Sequence, residues 1–335
     1  MKTSILIILG VFALTFNTKA QAGFEGYLLA NEKDRVRLIE AYINPAMKGL
    51  IYSMNNGWYH TAKAHKTLGF DLSVSLNASL VPEEDEIFTL SGLTSINQAT
   101  GSNITAATVS GSNDTKPLTT INFTEGRETY STTFNAPGGI KESLPLNAIP
   151  APALQFSLGL PAKFEISLRL VPEIGKEDVK GSLLGVGLKK EITSWFGPLG
   201  VTPLHVSLLA AYTTMNVEYD IQSNDDISVQ NGLAEFKLNS YTVQAIASLN
   251  FPILNLYGGI GYGAGNSTLQ MLGDYTLNYG PLSRTITDPI DSKFDVGSFR
   301  TTIGTRISLP FLKIFGSYTS QEYNTANLGI AISLR

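Results

Sequence analysis

Between Phe70 and Leu80 the chain reads Phe-Asp-Leu-Ser-Val-Ser-Leu-Asn-Ala-Ser-Leu, six apolar residues interleaved with five polar ones. Successive side chains of an extended strand point to opposite faces, so this segment has one oily face and one wet face. The alternation returns at Leu154–Leu160, Phe164–Leu170, Leu184–Leu188, Leu204–Tyr212, Phe236–Leu249, Leu254–Ala264, Phe299–Leu309, Leu312–Tyr318 and Leu328–Leu334. Several of these runs exceed the roughly five or six residues of a soluble strand and approach the roughly 9 to 11 that cross a bilayer at a tilt.

The connections separate by length. Leu160-Pro161-Ala162, Asn250-Phe251-Pro252 and Leu309-Pro310-Phe311 are short and carry proline, which cannot donate to a ladder and marks strand ends; Gly197-Pro198 to Pro203 is a looser version. Between them lie the longer stretches Pro172–Lys180, Asn216–Leu233 and Leu272–Asp295. Short turns on one side and long loops on the other are the habit of outer-membrane barrels. Within the polar stretch 81–150, strands are expected near Ile87–Ser95 and Thr119–Phe134, with a hairpin turn at Glu125-Gly126. The expected fold is all-β, an antiparallel transmembrane β-barrel of 12 to 14 strands with a short N-terminal helical hatch. Trp195, Phe196, Phe251, Tyr257, Phe294, Phe299, Phe311, Tyr318 and Tyr323 stand near strand ends and fit interfacial girdles.

Composition narrows the function classes. There are 24 Lys and Arg against 28 Asp and Glu, too few and too balanced for the clustered cations of a nucleic-acid binder. The absence of cysteine excludes disulfides, thiolate metal sites and a thiol nucleophile.

Met1-Lys2-Thr3-Ser4, the apolar run Ile5–Phe16 and the small-x-small ending Ala20-Gln21-Ala22 read as a cleaved secretory signal over 1–22. The expected division is a signal peptide at 1–22, a hatch or plug at 23–66 and the barrel at 67–335. The expected location is the bacterial outer membrane, with outer-membrane lipid and the barrel-assembly machinery as partners and no nucleic acid.

Residues 31–66 do not alternate. Asn31 can cap a helix opening Glu32-Lys33-Asp34 and continuing with Val36, Leu38, Ile39 and Tyr42 at helical spacing. Asn44-Pro45 is expected to interrupt it, since proline lacks a donor and disfavours helix in the residue before it. Met47, Leu50, Ile51 and Met54 then form a second short piece before Asn55-Asn56-Gly57-Trp58-Tyr59. Such a segment cannot lie in lipid as loop and belongs in the lumen or on the periplasmic side.

The run Tyr42-Ile43-Asn44-Pro45-Ala46-Met47, then Asn55-Asn56-Gly57-Trp58 and a strand opening Leu68-Gly69-Phe70-Asp71, resembles the hatch and first strand of FadL-like outer-membrane transporters of fatty acids and aromatic hydrocarbons. Ala41–Pro82 also resembles an uncharacterised family of bacterial outer-membrane barrels with the same layout. The resemblance implies a 14-stranded barrel closed by its hatch and passive import of small hydrophobic molecules. Asn44, Pro45 and Ala46 are then expected as the hatch turn, with Phe24, Tyr27 and Trp58 as hatch or ligand-contacting groups. A non-transporting surface or adhesion component, with 81–150 as its binding face, is the alternative reading.

Gly259, Gly261, Gly263 and Gly265 share one strand face, as do Gly181, Gly185 and Gly187 on another. Facing the lumen, such stripes either seat the hatch closely or relieve strand curvature. His60 and His65 have no carboxylate beside them in sequence, so no metal site is expected, nor any cofactor. His205 and Ser207 share an inward face in an arrangement resembling outer-membrane lipid A deacylases, but no acid partner is apparent and an enzyme is not expected. The run Glu83-Glu84-Asp85-Glu86 reads as a solvated charged loop.

Overall fold

The computed structural model describes residues 24–98, 104–125, 128–176, 179–223, 227–279 and 282–334. The segment 1–22, expected as a signal peptide, lies outside the described residues. Among the described residues two helices, α1 (Phe24–Leu28) and α2 (Glu32–Met54), precede the first strand. Sixteen strands follow: β1 (Phe70–Leu80), β2 (Ile87–Thr89), β3 (Ile96–Gln98), β4 (Thr105–Ala107), β5 (Leu118–Glu125), β6 (Glu128–Asn135), β7 (Ala148–Leu160), β8 (Phe164–Lys176), β9 (Val179–Glu191), β10 (Leu204–Asp220), β11 (Ile227–Asn250), β12 (Leu254–Tyr279), β13 (Leu282–Thr287), β14 (Ile290–Ser308), β15 (Leu312–Ser320) and β16 (Thr325–Leu334).

The main sheet runs β11-β10-β9-β8-β7-β1-β16-β15-β14-β12-β13, and an added β11–β12 pairing closes it. Of these eleven strands, β13 pairs with β12 alone, so the ring itself has ten. All its pairings are antiparallel. Its members are the first alternating run and the nine found after residue 150. The count of 12 to 14 is corrected because 81–147 does not enter the wall. Its β2–β4 pair and its β3–β5–β6 sheet are separate, with the expected hairpin present as β5 and β6.

Burial along the ring is inverted relative to a soluble protein. On β1, Ser75 is 7 % exposed and Asn77 0 %, whereas Phe299 on β14 is 82 % and Ile303 72 % exposed. Leu72, Val74 and Leu76, with Leu168, Leu170, Leu184 and Leu188, likewise point outward. A closed barrel pairs every ladder group, and a continuous apolar exterior on such a ring is a lipid-facing surface. The chain is therefore an outer-membrane β-barrel. No described helix is long and apolar enough to cross a membrane. Trp195, Phe196, Phe251 and Phe311 are exposed at the short-turn end, consistent with a girdle. Tyr257, Phe294 and Tyr323 instead turn inward and are buried, because their positions fall in the inner phase of the ring or on its rim.

The wall is uneven in height. β11 and β12 have 24 and 26 residues, β15 and β16 only 9 and 10. Much of 216–233 and 272–295, expected as polar loop, is strand rising beyond the bilayer. Its inner face buries Met271, Tyr275, Leu277, Ile286 and Ile290 against α1, α2 and the cap formed by 81–147. This long-connection end faces the exterior, and the short turns face the periplasm.

α2 begins as expected, with Asn31 Oδ1 accepting from the Asp34 amide at 2.9 Å. It does not stop at Asn44-Pro45 but runs unbroken for 23 residues. An interior proline costs about 3 kcal/mol. Burial offsets this: Leu38, Ile39 and Tyr42 pack in the outer apolar cluster, and Leu50, Ile51 and Met54 in the next one down.

Asp34 ties α2 to the cap, accepting from the amides and hydroxyls of Thr94 and Ser95 at 2.6 to 3.0 Å. Burial alone would raise its pKa, but these four bonds outweigh burial and hold it below the usual 3.8. A depressed folded-state pKa contributes stability that is present above about 3.8 and lost as pH falls through the folded value. Asp34→Ala should weaken cap docking by about 3 kcal/mol, and the wild-type cap should loosen only below pH 3.8. Protease sensitivity of 81–147 against pH, with the barrel's heat-modifiable gel mobility as control, checks both.

Candidate functional site: the plug and its seat

The described N-terminal segment occupies the lumen from one end to the other. α2 contacts β1 and β7 on one side and β11, β12 and β14 on the other. Arg35 Nε donates to the Pro289 carbonyl near the exterior end. Residues 55–66 continue downward until Ala64 and His65 meet Glu191 and Glu165 beside the short turns. A ring of about eight strands is filled by its own side chains, whereas a wider one needs another occupant, and here that occupant is a helix and its extension.

The last turn of a helix leaves carbonyls without partners and carries partial negative charge. Two buried arginines, half-way round the ring from each other, meet that need. Arg169 on β8 donates to Met54 O at 3.0 Å, Asn56 O at 2.8 Å and Gln155 Oε1 at 3.0 Å. Arg300 on β14 donates to Asn55 O and Asn56 Oδ1, both at 2.8 Å. Trp58 lies over the Arg169 guanidinium, 3.9 Å from the ring centroid. Asn55 Nδ2 in turn donates to Ala264 O at 3.0 Å.

Glycines clear the wall where the plug is bulky. A Cβ at Gly185 or Gly187 would come within 3.0 or 2.9 Å of the Trp58 indole. One at Gly259 would meet the Tyr59 hydroxyl, one at Gly265 would meet the β11 carbonyl of Asn239 as well as Ile51 Cγ2 at 2.7 Å, and one at Gly263 would make only ordinary contact with Asn55 Nδ2 at 3.4 Å. Gly261 differs: its Cβ would collide with the β11 backbone at Val243 rather than with the plug. Gly57, with φ of +71°, makes the turn below α2 against Asn77 and Asn327.

The periplasmic end of the seat is ionic. His60 Nε2 lies 3.1 Å from Asp71 Oδ2, and its Nδ1 2.9 Å from Arg306. His65 lies 2.8 Å from Glu165 and 3.4 Å from Asp71, while Lys189 pairs with Glu165 at 2.7 Å. Glu191 takes His205 at 3.1 Å, Lys163 at 3.1 Å and the Ala64 amide at 3.0 Å. The histidines therefore do have carboxylates beside them. Sequence distance hid these, since Asp71, Glu165 and Glu191 sit on the barrel wall. His205 also has an acid neighbour, yet Ser207 donates its hydroxyl proton to the plug carbonyl of Ala62 and no bond joins it to His205. A nucleophile must be within reach of its base, so this is no triad. Among the described residues no metal-holding group of three or more His, Cys, Asp or Glu occurs.

The other sequence candidates distribute as follows. Tyr27 is fully buried in the outer cluster, edge-on to Tyr42 and Phe134 at 6.3 and 6.1 Å. Phe24 opens α1, but its side chain lies outside the described residues. Asn44, Pro45 and Ala46 form no turn; they are mid-helix, with Pro45 buried and Ala46 against the outer cluster. Arg169, Arg300, Glu165, Lys189 and Glu191 were missed. Their signal was charge in the inward, polar phase of alternating strands, where all five are buried. A void of about 10 Å³ beside Met54, Asn77, Arg169 and Thr213 is too small for an organic ligand.

Arg169→Met should leave two plug carbonyls and Gln155 without a donor, costing the plug about 3 kcal/mol. The barrel should keep its heat-modifiable mobility while bilayer conductance rises and residues 55–66 become cleavable.

Solved structures align with the chain only at low similarity. The translocator domain of autotransporter NalP from Neisseria meningitidis aligns at TM-score 0.29 and 8% identity, covering 90% of this chain and 98% of that one. Ail, the attachment invasion locus protein of Yersinia pestis, in complex with a heparin analogue, gives 0.28 and 8% with coverage of 80% and 100%. The Pseudomonas putida toluene transporter TodX gives 0.25 and 8% with coverage of 79% and 89%. Likeness at this level carries no argument about function. No curated protein sequence matches the chain. A family of unknown function, DUF6588, matches residues 1–334, and the chain belongs to that family.

Proposed function

We propose that the protein is a passive outer-membrane entry route for small hydrophobic compounds, fatty-acid-like or aromatic, closed at rest by its N-terminal segment. One observation carries this reading: the lumen has two characters. On the exterior side it is apolar, with Tyr27, Leu28, Leu29, Leu38 and Ile39 packed on Met271, Tyr275 and Leu277. Below, the plug is held by hydrogen bonds and ion pairs that water can replace, together with a smaller apolar contact of Trp58, Tyr59 and Ala62 on Leu209, Ile246 and Tyr257. A compound arriving from outside meets apolar surface first, and the polar contacts of the lower plug can be exchanged for water when it shifts, while an apolar compound can take over the surface that its buried apolar groups leave. With α2 and residues 55–66 lying along the lumen, entry by this route requires plug movement. The folded cap of 81–147 supports a second reading, a surface component with the cap as binding face.

The absence of cysteine permits a clean lock. Thr61 Oγ1 on the plug and Ser248 Oγ on β11 are 3.2 Å apart, within reach of a disulfide after Thr61→Cys with Ser248→Cys. In Gram-negative cells lacking their own uptake proteins, the reduced variant should raise accumulation of labelled fatty acid or toluene. Oxidation should cut it at least ten-fold, with recovery on reduction. Equal uptake by the locked form defeats plug gating, and no uptake above empty-vector cells in either form leaves the surface-component reading.

A further inference from the structure

We propose that the outer wall of β11, β12 and β14 carries a binding site for the phosphorylated amino-sugar head of an outer-leaflet glycolipid. The site is a notch of about 300 Å³ lined by Tyr241, Tyr262, Ala264, Asn266, Asp295 and Gly297. Its origin is a register row that shrinks across the wall: Tyr241 pairs with Ala264, and Ala264 with Gly297. Tyr241 and Tyr262 form its rims, Tyr262 braced edge-to-face on Phe299 at 5.4 Å.

The notch lies where the exterior changes character. Below it the rows are apolar, Val243–Tyr262–Phe299 and then Ala245–Ile260–Thr301. Immediately above it runs Asn239–Asn266–Asp295, and above that Lys237–Thr268–Lys293. That sequence of rows matches an amphiphile standing in the leaflet. Its acyl chains lie along Val243 and Ile260, and its sugar ring sits between two tyrosine faces. Amide and carboxylate groups stand at the height of its hydroxyls, with Lys293 at the height of its phosphates and Lys237, paired to Glu235, beside it. Tyr212 Oη donates to Asn239 Oδ1 at 2.7 Å, and Asn239 Nδ2 to Asn266 Oδ1 at 3.2 Å, fixing the upper rim. Lys237 is held by Glu235 at 2.6 Å, while Lys293 projects outward and is exposed. This site lies on the lipid face and is independent of plug gating.

The test uses the full protein extracted in mild detergent from a host making short-core lipopolysaccharide, with native mass spectrometry of bound lipid. Wild type should retain one lipopolysaccharide per barrel in preference to phosphatidylethanolamine. Gly297→Leu, whose side chain displaces the Tyr262 hydroxyl and fills the notch, should lower occupancy at least ten-fold with heat-modifiable mobility unchanged. If that variant fails to fold, Asn266→Ala with Lys293→Ala, both on the outer surface, should give a comparable loss. Wild type without lipopolysaccharide preference, or variants that fold and retain it as wild type does, overturns the proposal.

Discussion

Helix ends are expensive inside a membrane-embedded tube, because water is not at hand to satisfy their carbonyls. The gripping of the α2 C-terminus by Arg169 and Arg300 from opposite walls answers that cost, and much of the interior follows from it. The guanidinium groups fix the height at which the helix ends. That height places Trp58 over Arg169, and the indole in turn requires the bare wall at Gly185 and Gly187. Each arginine is itself tolerated only because the plug supplies acceptors for it, so wall and plug specify one another.

The strands were legible because a lipid-facing barrel imposes the strictest alternation a sequence can carry. Every ring strand was marked by it, from Phe70–Leu80 to Leu328–Leu334. What failed was the assumption that all extended segments belong to one sheet: β5 and β6 have good strand chemistry but pair only locally. The heights of β11 and β12 were underestimated because polar composition was read as loop, whereas strands above the bilayer are polar on their outer face. Pro45 misled for a different reason, since tertiary packing along the whole length of α2 overrides the local preference. Contacts such as His65 with Glu165, separated by 100 residues, leave no local trace at all.

Two chemistries meet in the lumen, apolar packing dominating near the exterior and ionic contacts joining it near the periplasm. Apolar packing near the exterior excludes water from the α1 and cap region. Hydrogen-bonded and ionic packing near the periplasm gives directional, geometrically specific contacts that hold a single register of the plug. Both ends of α2 are thereby defined, by Asp34 at the cap and by the two arginines below.

The ring is joined by pairing its first strand to its last, β1 with β16, over ten residues from Phe70↔Leu334 to Ser79↔Thr325. The segment before β1 passes through the hole of that ring and begins at the opposite mouth. A chain cannot easily thread a finished tube that is already lined with the groups meant to hold it. The β1–β16 seam is thus naturally the final event of assembly, zipping around a rod already lying in place. The earliest-made of the described segments then acts as the mandrel on which the rest is wound.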